Sequence, residues 1–154
     1  MTRAEMRAVM SDQTAVIATV VGEALNEPLE GQAAVACVLR NRARHPRWWG
    51  SGWKGVCHAP KQFSCWWEAN ANTDRVYEVA DALMRRLPQG FNTPLSQIQW
   101  LVSGVMEDAI MDRTDRSDHY LTTALYRSPG CPAWAKKTAP IMVIGGHTFF
   151  RLEL

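Results

Sequence analysis

The run Ala33-Ala34-Val35-Ala36-Cys37-Val38-Leu39 constrains this chain more than any other segment. On a helix it is apolar on nearly every side, and a helix apolar all round must be enclosed by protein. The pattern predicts a helix over residues 30–44, ended by Pro46, as the buried central element of a domain. A second apolar stretch, Ala15–Val21, precedes it. Ser11 and Asp12 are placed to cap a helix over residues 12–24, and Pro28 stops it.

Further along, Thr73 and Asp74 read as the cap of a helix reaching about Leu87, with Val76, Val79, Ala80, Leu83 and Leu87 on one stripe. Thr93-Pro94 opens another, because proline suits the first helical position. Its apolar residues, from Leu95 and Ile98 to Val105 and Ala109, fall three and four apart. Residues 46–72 show no periodicity and are rich in Trp, Gly, Pro and Ser, which reads as one long functional loop. Ile141–Ile144 and His147–Leu152 flank Gly145-Gly146, a two-residue hairpin signal. The expected architecture is α+β, mainly α, with a buried central helix and a small C-terminal β-hairpin. With 154 residues, no repeats and no linker, a single domain is expected over residues 1–154, without a separate binding module.

Charge narrows the partners. A formal net charge of +2 is too small to imply nucleic acid. Its distribution says more: no carboxylate occurs between Gly31 and Trp67, where Arg40, Arg42, Arg44, Arg47, Lys54 and Lys61 all lie. Such a stretch suits an anionic surface such as bacterial cell wall, and equally a solvated helix face. Trp48, Trp49, Trp53, Trp66 and Trp67 crowd the same region. Most should pack in the core, leaving one or two to stack on sugar rings.

Cys37, Cys57, Cys65 and Cys131 form no CxxC pair and share no ligand spacing with His45, His58, His119 and His147, so no metal or cofactor is expected. Cys37 reads as a small buried hydrophobe. Cys57 and Cys65 are close enough in sequence for a bridge around a short loop, although reduced thiols are the default in cytosol. Arg3 and Arg7 before Ala15–Val21 imitate a signal peptide. Thr19 interrupts that run, however, and it falls far short of the ~20 residues that span a bilayer. It reads as part of the fold, with no export signal or stable membrane association expected.

One carboxyl stands out locally. Glu23 follows the apolar stretch and sits between Gly22 and Ala24. Desolvation favours the neutral carboxyl and raises its pKa, as a general acid near neutral pH requires. The plainer alternative is a surface glutamate at a helix end.

Ordered motifs decide between them. Gly22-Glu23-Ala24, Glu27, Gly31-Gln32, Ala34-Val35-Ala36 and Asn41-Arg42 come first. Gln62-Phe63-Ser64 follows, then Asp112, Thr114 and Asp118-His119-Tyr120. Pro132, Trp134-Ala135 and Ile144-Gly145-Gly146-His147-Thr148-Phe149-Phe150-Arg151 close the series. In this order, over residues 15–152, they resemble the SleB-type cell-wall hydrolases. Leu25-Asn26 departs from the Arg-Gly usual in that family, and Ser117 stands where a Gly or Ala is usual.

The resemblance implies a lysozyme-like fold, cleavage of the MurNAc–GlcNAc bond of peptidoglycan, and Glu23 as the catalytic glutamate. Gln62, Ser64, Tyr120, His119 and Trp66 are the candidate substrate-binding residues; Gln62 and Ser64 would otherwise cap a turn, and Tyr120 would otherwise be core. Asn41, Arg42 and His147 read as structural. A hydrolase generally pairs its acid with a second carboxylate, for which Glu27, Glu30, Asp112 and Asp118 are candidates. A lytic transglycosylase needs one carboxyl, and no facing pair is evident in the spacing, so the latter is favoured. A monomeric phage endolysin is expected, made in the host cytoplasm and acting at the wall or periplasm after release by a holin. The alternatives are a hydrolytic muramidase of the same fold and a catalytically silent glycan-binding protein.

Overall fold

The computed structural model describes residues 1–154. Helix α1 (Arg3–Val9) is closed by a capping box between Thr2 and Glu5. Arg3 and Arg7, read in sequence as part of the fold, lie on this helix. Helix α2 (Asp12–Ala24) starts at Ser11, whose hydroxyl accepts from the Thr14 amide. Helix α3 (Leu29–Arg44) is the expected central element, and every residue from Gly31 to Arg42 is buried.

Burying that many polar groups demands partners, and α3 finds them across its neighbours. Gln32 donates to the Ala24 and Leu25 carbonyls, satisfying the open end of α2. Arg40 donates to the Val105 and Ile110 carbonyls and lies 3.4 Å from Asp108. Asn41 reaches Asp112 and the Ser117 carbonyl. These bonds tie the central helix to the loop that leads into the sheet.

The stretch 46–72 is not one open loop. It holds helix α4 (Gly52–Cys57) and a tight 3-10 turn at Ser64–Trp66. Elements this short give no periodicity, and they are fixed by burying Trp49, Val56, Phe63 and Trp66 in the core. Helix α5 (Ala71–Met84) begins earlier than its sequence suggests, because Asn70 rather than Thr73 supplies the capping oxygen. It also ends earlier, where Arg86 turns left-handed at φ 56° and Leu87 is left exposed. Helix α6 (Pro94–Met106) opens at the expected Thr93 cap but stops before Ala109, the last residue of its apolar stripe.

The sheet has three strands rather than two. Strands β1 (His119–Thr122), β2 (Met142–Ile144) and β3 (His147–Phe150) lie in the order β1-β3-β2, all antiparallel. The hairpin of β2 and β3 turns at Gly145-Gly146, with Gly145 at φ 56°. Strand β1 pairs Tyr120 with Phe149 on the outer side of β3. Short helices α7 (Thr123–Tyr126) and α8 (Ala133–Lys136) complete the chain. The expected class, mainly helical α+β, therefore holds, with one strand added. No helix is long and apolar enough to cross a membrane.

All four cysteines are free and buried, so Cys57 and Cys65 form no bridge. Cys65 instead packs against α2. A Cβ added at Gly22 would come within 2.6 Å of Cys65 Cβ and 2.7 Å of Val76 Cγ2. Gly22→Ala is therefore expected to destabilise the fold by about 1–3 kcal/mol, read as a lower urea midpoint. A wild-type midpoint would show that the Cys65 turn moves aside freely.

Candidate active site

The last turn of α2 carries Glu23 out of the core and into a cleft of about 330 Å³. Residues 21–27 form one wall, and Asn72 and Arg75 of α5 form another. Thr122, Gly146 and His147 close it from the sheet. Asn72 donates to the Gly22 carbonyl at 3.0 Å, so the α2 terminus is held while its glutamate stays free.

Glu23 is half-buried, and no cation pairs with it. Desolvation pushes its pKa up to about 7. The Tyr120 hydroxyl, the Cys65 thiol and the more distant Arg42 charge pull the other way, while the Glu68 carboxylate adds to the rise. Near neutral pH the carboxyl is thus balanced between giving and holding a proton.

Tyr120 is the predicted site residue that the fold brings to Glu23. Burial and the nearby carboxyl raise its own pKa well above the ordinary value, so it remains a phenol and a donor. Its buried hydroxyl approaches the Glu23 carboxyl without a fully formed hydrogen bond. A buried donor left open beside an acid can serve the charge that develops there. Cys65, adjacent to Glu23 on the other side, was not foreseen. Its thiol is held far above the usual range by burial, so it is an inert neighbour and not a nucleophile.

The other predicted residues divide. Gln62 and His119 line a neighbouring pocket that Tyr120 also borders. His119 is oriented by Asp118 at 2.9 Å and packs against Trp48, Trp49 and Trp134. Ser64 opens the 3-10 turn and is exposed, lining neither cavity. Trp66 is a correction. It is 2% exposed, with its indole N–H on Thr19 Oγ1 at 2.9 Å and its ring against His58 and Tyr77. It cannot meet a sugar. Trp48, 57% exposed, is the tryptophan of that cluster that lines the second pocket; Trp67 is also exposed but lies under the Arg7 guanidinium.

Of the candidate second carboxylates, Asp112 is consumed by Thr114, Arg116 and Asn41. Asp118 accepts from the Leu152, Glu153 and Leu154 amides. Glu30 is exposed and faces a separate groove beside Trp100. Only Glu27 shares the cleft with Glu23. Its Oε1 accepts the Gly146 amide at 2.9 Å and lies 2.8 Å from His147 Nδ1. Glu27 thereby clamps the hairpin turn to the start of α3, and a Cβ at Gly146 would fall 2.9 Å from that oxygen. His147, read from sequence as bonding backbone in the hairpin, instead faces this side chain and lines the cleft.

A half-buried carboxylic acid in an open, polar cleft can carry acid–base chemistry on a ligand bound there. The family model of cell wall hydrolases matches residues 26–150, and the chain belongs to that family. The matched segment begins just after Glu23. Two solved structures share the fold. One is the catalytic domain of the germination-specific lytic transglycosylase SleB from Bacillus anthracis, 23% identical with a TM-score of 0.60, aligned over 91% of this chain and 93% of that one. The other is the catalytic domain of the Bacillus cereus SleB protein, 24% identical with a TM-score of 0.59, aligned over 91% and 89%. No curated protein matches the sequence significantly.

Proposed function

We propose that this chain is a single catalytic domain that cleaves the MurNAc–GlcNAc bond of peptidoglycan as a lytic transglycosylase, with Glu23 as its one catalytic carboxyl. The observation that carries the reading is the unequal state of the two carboxyls in the cleft. Glu23 is unpaired with its pKa near 7, whereas Glu27 is committed to the hairpin turn.

One carboxyl suffices for a two-step reaction that consumes no water. Protonated Glu23 gives its proton to the glycosidic oxygen as the bond from that oxygen to C1 of MurNAc breaks. The electron pair leaves with the oxygen, and positive charge develops on the MurNAc ring. Glu23, now a carboxylate, accepts the proton of the C6 hydroxyl of the same ring, and O6 bonds to C1. The products are a 1,6-anhydro end and a free GlcNAc hydroxyl, with Glu23 protonated again. The Tyr120 phenol is placed to donate to the carboxylate between the two steps, when its charge is greatest. A like fold in a lytic transglycosylase supports this chemistry over the two-carboxylate hydrolase.

The proposed biological role is that of a phage endolysin, made in the host cytoplasm and acting on the wall after release. Four free, buried thiols suit folding in a reducing compartment. Cells producing the chain alone are expected to keep growing and to lyse promptly when a holin is co-expressed. Lysis without any membrane lesion would count against that role.

A further inference from the structure

The second pocket, which Tyr120 also lines, holds a buried cation without an ion-pair partner. Arg40 and Arg42 sit two residues apart on α3 and are equally buried, at 5% exposure each. Arg40 has the Asp108 carboxylate. Arg42 has only neutral acceptors: its Nε donates to the Asp118 carbonyl at 2.6 Å and its Nη1 to Gln62 Oε1 at 3.3 Å. Tyr120 and the carboxylates of Asp118 and Glu23 favour its charge from a distance, and the Trp48, Trp49 and Phe63 ring centroids lie 5.4–5.9 Å from it, but no carboxylate bonds it. Desolvation accordingly lowers its pKa, a cost that a structural arginine normally recovers from a paired carboxylate.

Around this charge the fold builds a cavity of about 410 Å³. Trp48 and Trp134 supply flat apolar faces to it, and Gln62 and Tyr120 supply polar ones. A second cation, Lys61, stands at the rim. Its backbone is left-handed at φ 64°, a conformation that costs a non-glycine residue energy and recurs at ligand-binding positions. Like Arg42, Lys61 makes no ion pair. No acid lines the pocket, and Glu153, beside Trp48, is engaged by the Trp48 indole N–H at 2.8 Å and by Arg47 at 3.9 Å.

We infer that this pocket is a subsite for a carboxylate-bearing saccharide, which stacks a sugar face on Trp48 and places its carboxylate on Arg42 and Lys61. The inference rests on the proposed glycan cleavage and adds a source of selectivity: a strand is read for acid groups in a pocket that shares Tyr120 with the Glu23 site. Two peptidoglycan carboxylates carry this chemistry, the lactyl group of peptide-free MurNAc and the free acids of the stem peptide. Arginine bonds either one in the same forked geometry.

The test is titration calorimetry on Glu23→Gln, which removes turnover. The probes are a peptide-free GlcNAc–MurNAc oligomer, its lactyl methyl ester, the peptide-bearing oligomer and a chitooligosaccharide. The acid oligomers are expected to bind about tenfold tighter than the ester and the chitooligosaccharide, the gain of one charge-assisted hydrogen bond. Adding Lys61→Gln, an exposed change that leaves the core intact, should shrink that preference to about threefold while the ester's affinity stays put. A preference for the peptide-free oligomer assigns the lactyl acid. A preference for the peptide-bearing one that disappears when its stem acids are amidated assigns the peptide. Equal binding of acid and ester, or equal weakening of both by Lys61→Gln, overturns the subsite and leaves the cleavage proposal standing. Failure of the folded protein to bind any saccharide overturns both.

Discussion

Glu23→Gln is expected to lower clearing of permeabilised cells by roughly 10³–10⁴-fold, the upper part of the range for loss of a general acid, because the same group acts in both steps. Glutamine keeps the size and polarity of the side chain, so the protein should stay folded. It should in fact be more stable than the wild type in alkaline solution. The Glu23 pKa is raised from an ordinary 4.5 to about 7, so between those values the folded state binds more protons than the unfolded one. Stability therefore falls as pH rises through that window, and above it the wild type carries a desolvated charge that the amide lacks. The melting temperatures should converge below pH 4.5 and separate above pH 7, with the variant higher. Wild-type kcat/KM should decline about tenfold per pH unit above 7, as the proton needed for the first step is lost. A flat alkaline limb, or full activity in the variant, removes Glu23 from the chemistry.

Asp118→Ala carries the largest expected structural effect. The Asp118 side chain is fully buried and accepts from three successive amides, Leu152, Glu153 and Leu154, and faces His119 at 2.9 Å. Burial pushes its pKa up, but hydrogen bonds from His119 and from the Leu152 and Glu153 amides bring it down to about 2. Alanine leaves those donors open, at a cost of about 3 kcal/mol or more. Urea unfolding should show the loss, and Asp118→Asn, which keeps one acceptor, should lose less. The sign with pH follows from the depressed value. This stabilisation is complete above the ordinary 3.8 and disappears as pH falls through about 2. The effect should reach function as well, because the tail that Asp118 fixes carries Glu153, which steadies Trp48 at the second pocket. An alanine variant of wild-type stability would mean that water replaces the carboxylate without cost.

The parts of the fold that were legible in sequence are those whose pattern is local. Helices α2, α3 and α6 announce themselves by apolar spacing and by caps at Ser11 and Thr93, and the β2–β3 turn by its two glycines. Strand β1 was not legible: four residues become a strand only by pairing with β3, nearly thirty positions away. Helix α4 and the 3-10 turn are too short for periodicity and are held by aromatic burial.

The site follows the same division. Glu23 is readable from its apolar flank and the ordered motifs around it, and Tyr120 from the motif it ends. Which tryptophan meets solvent is not readable, since Trp48 and Trp66 look alike in composition, and only packing sends one to the cavity mouth and the other to Thr19. The same holds for Arg40 and Arg42: the acid that pairs one and is missing from the other comes from a distant part of the chain. Glu27 stays one of four candidate second carboxylates in sequence for a similar reason, because the Gly146 amide that occupies it lies 119 residues downstream.

The account turns on one carboxyl cutting a glycan strand without water, and the ends of the products record whether that happens. Purified sacculi digested to completion and mapped by mass spectrometry should yield muropeptides that end in 1,6-anhydro-MurNAc, each lighter by one water than its reducing counterpart, with the peptide cross-links intact. A digest containing only reducing-end muropeptides, or one with intact glycan and cut peptides, would contradict it.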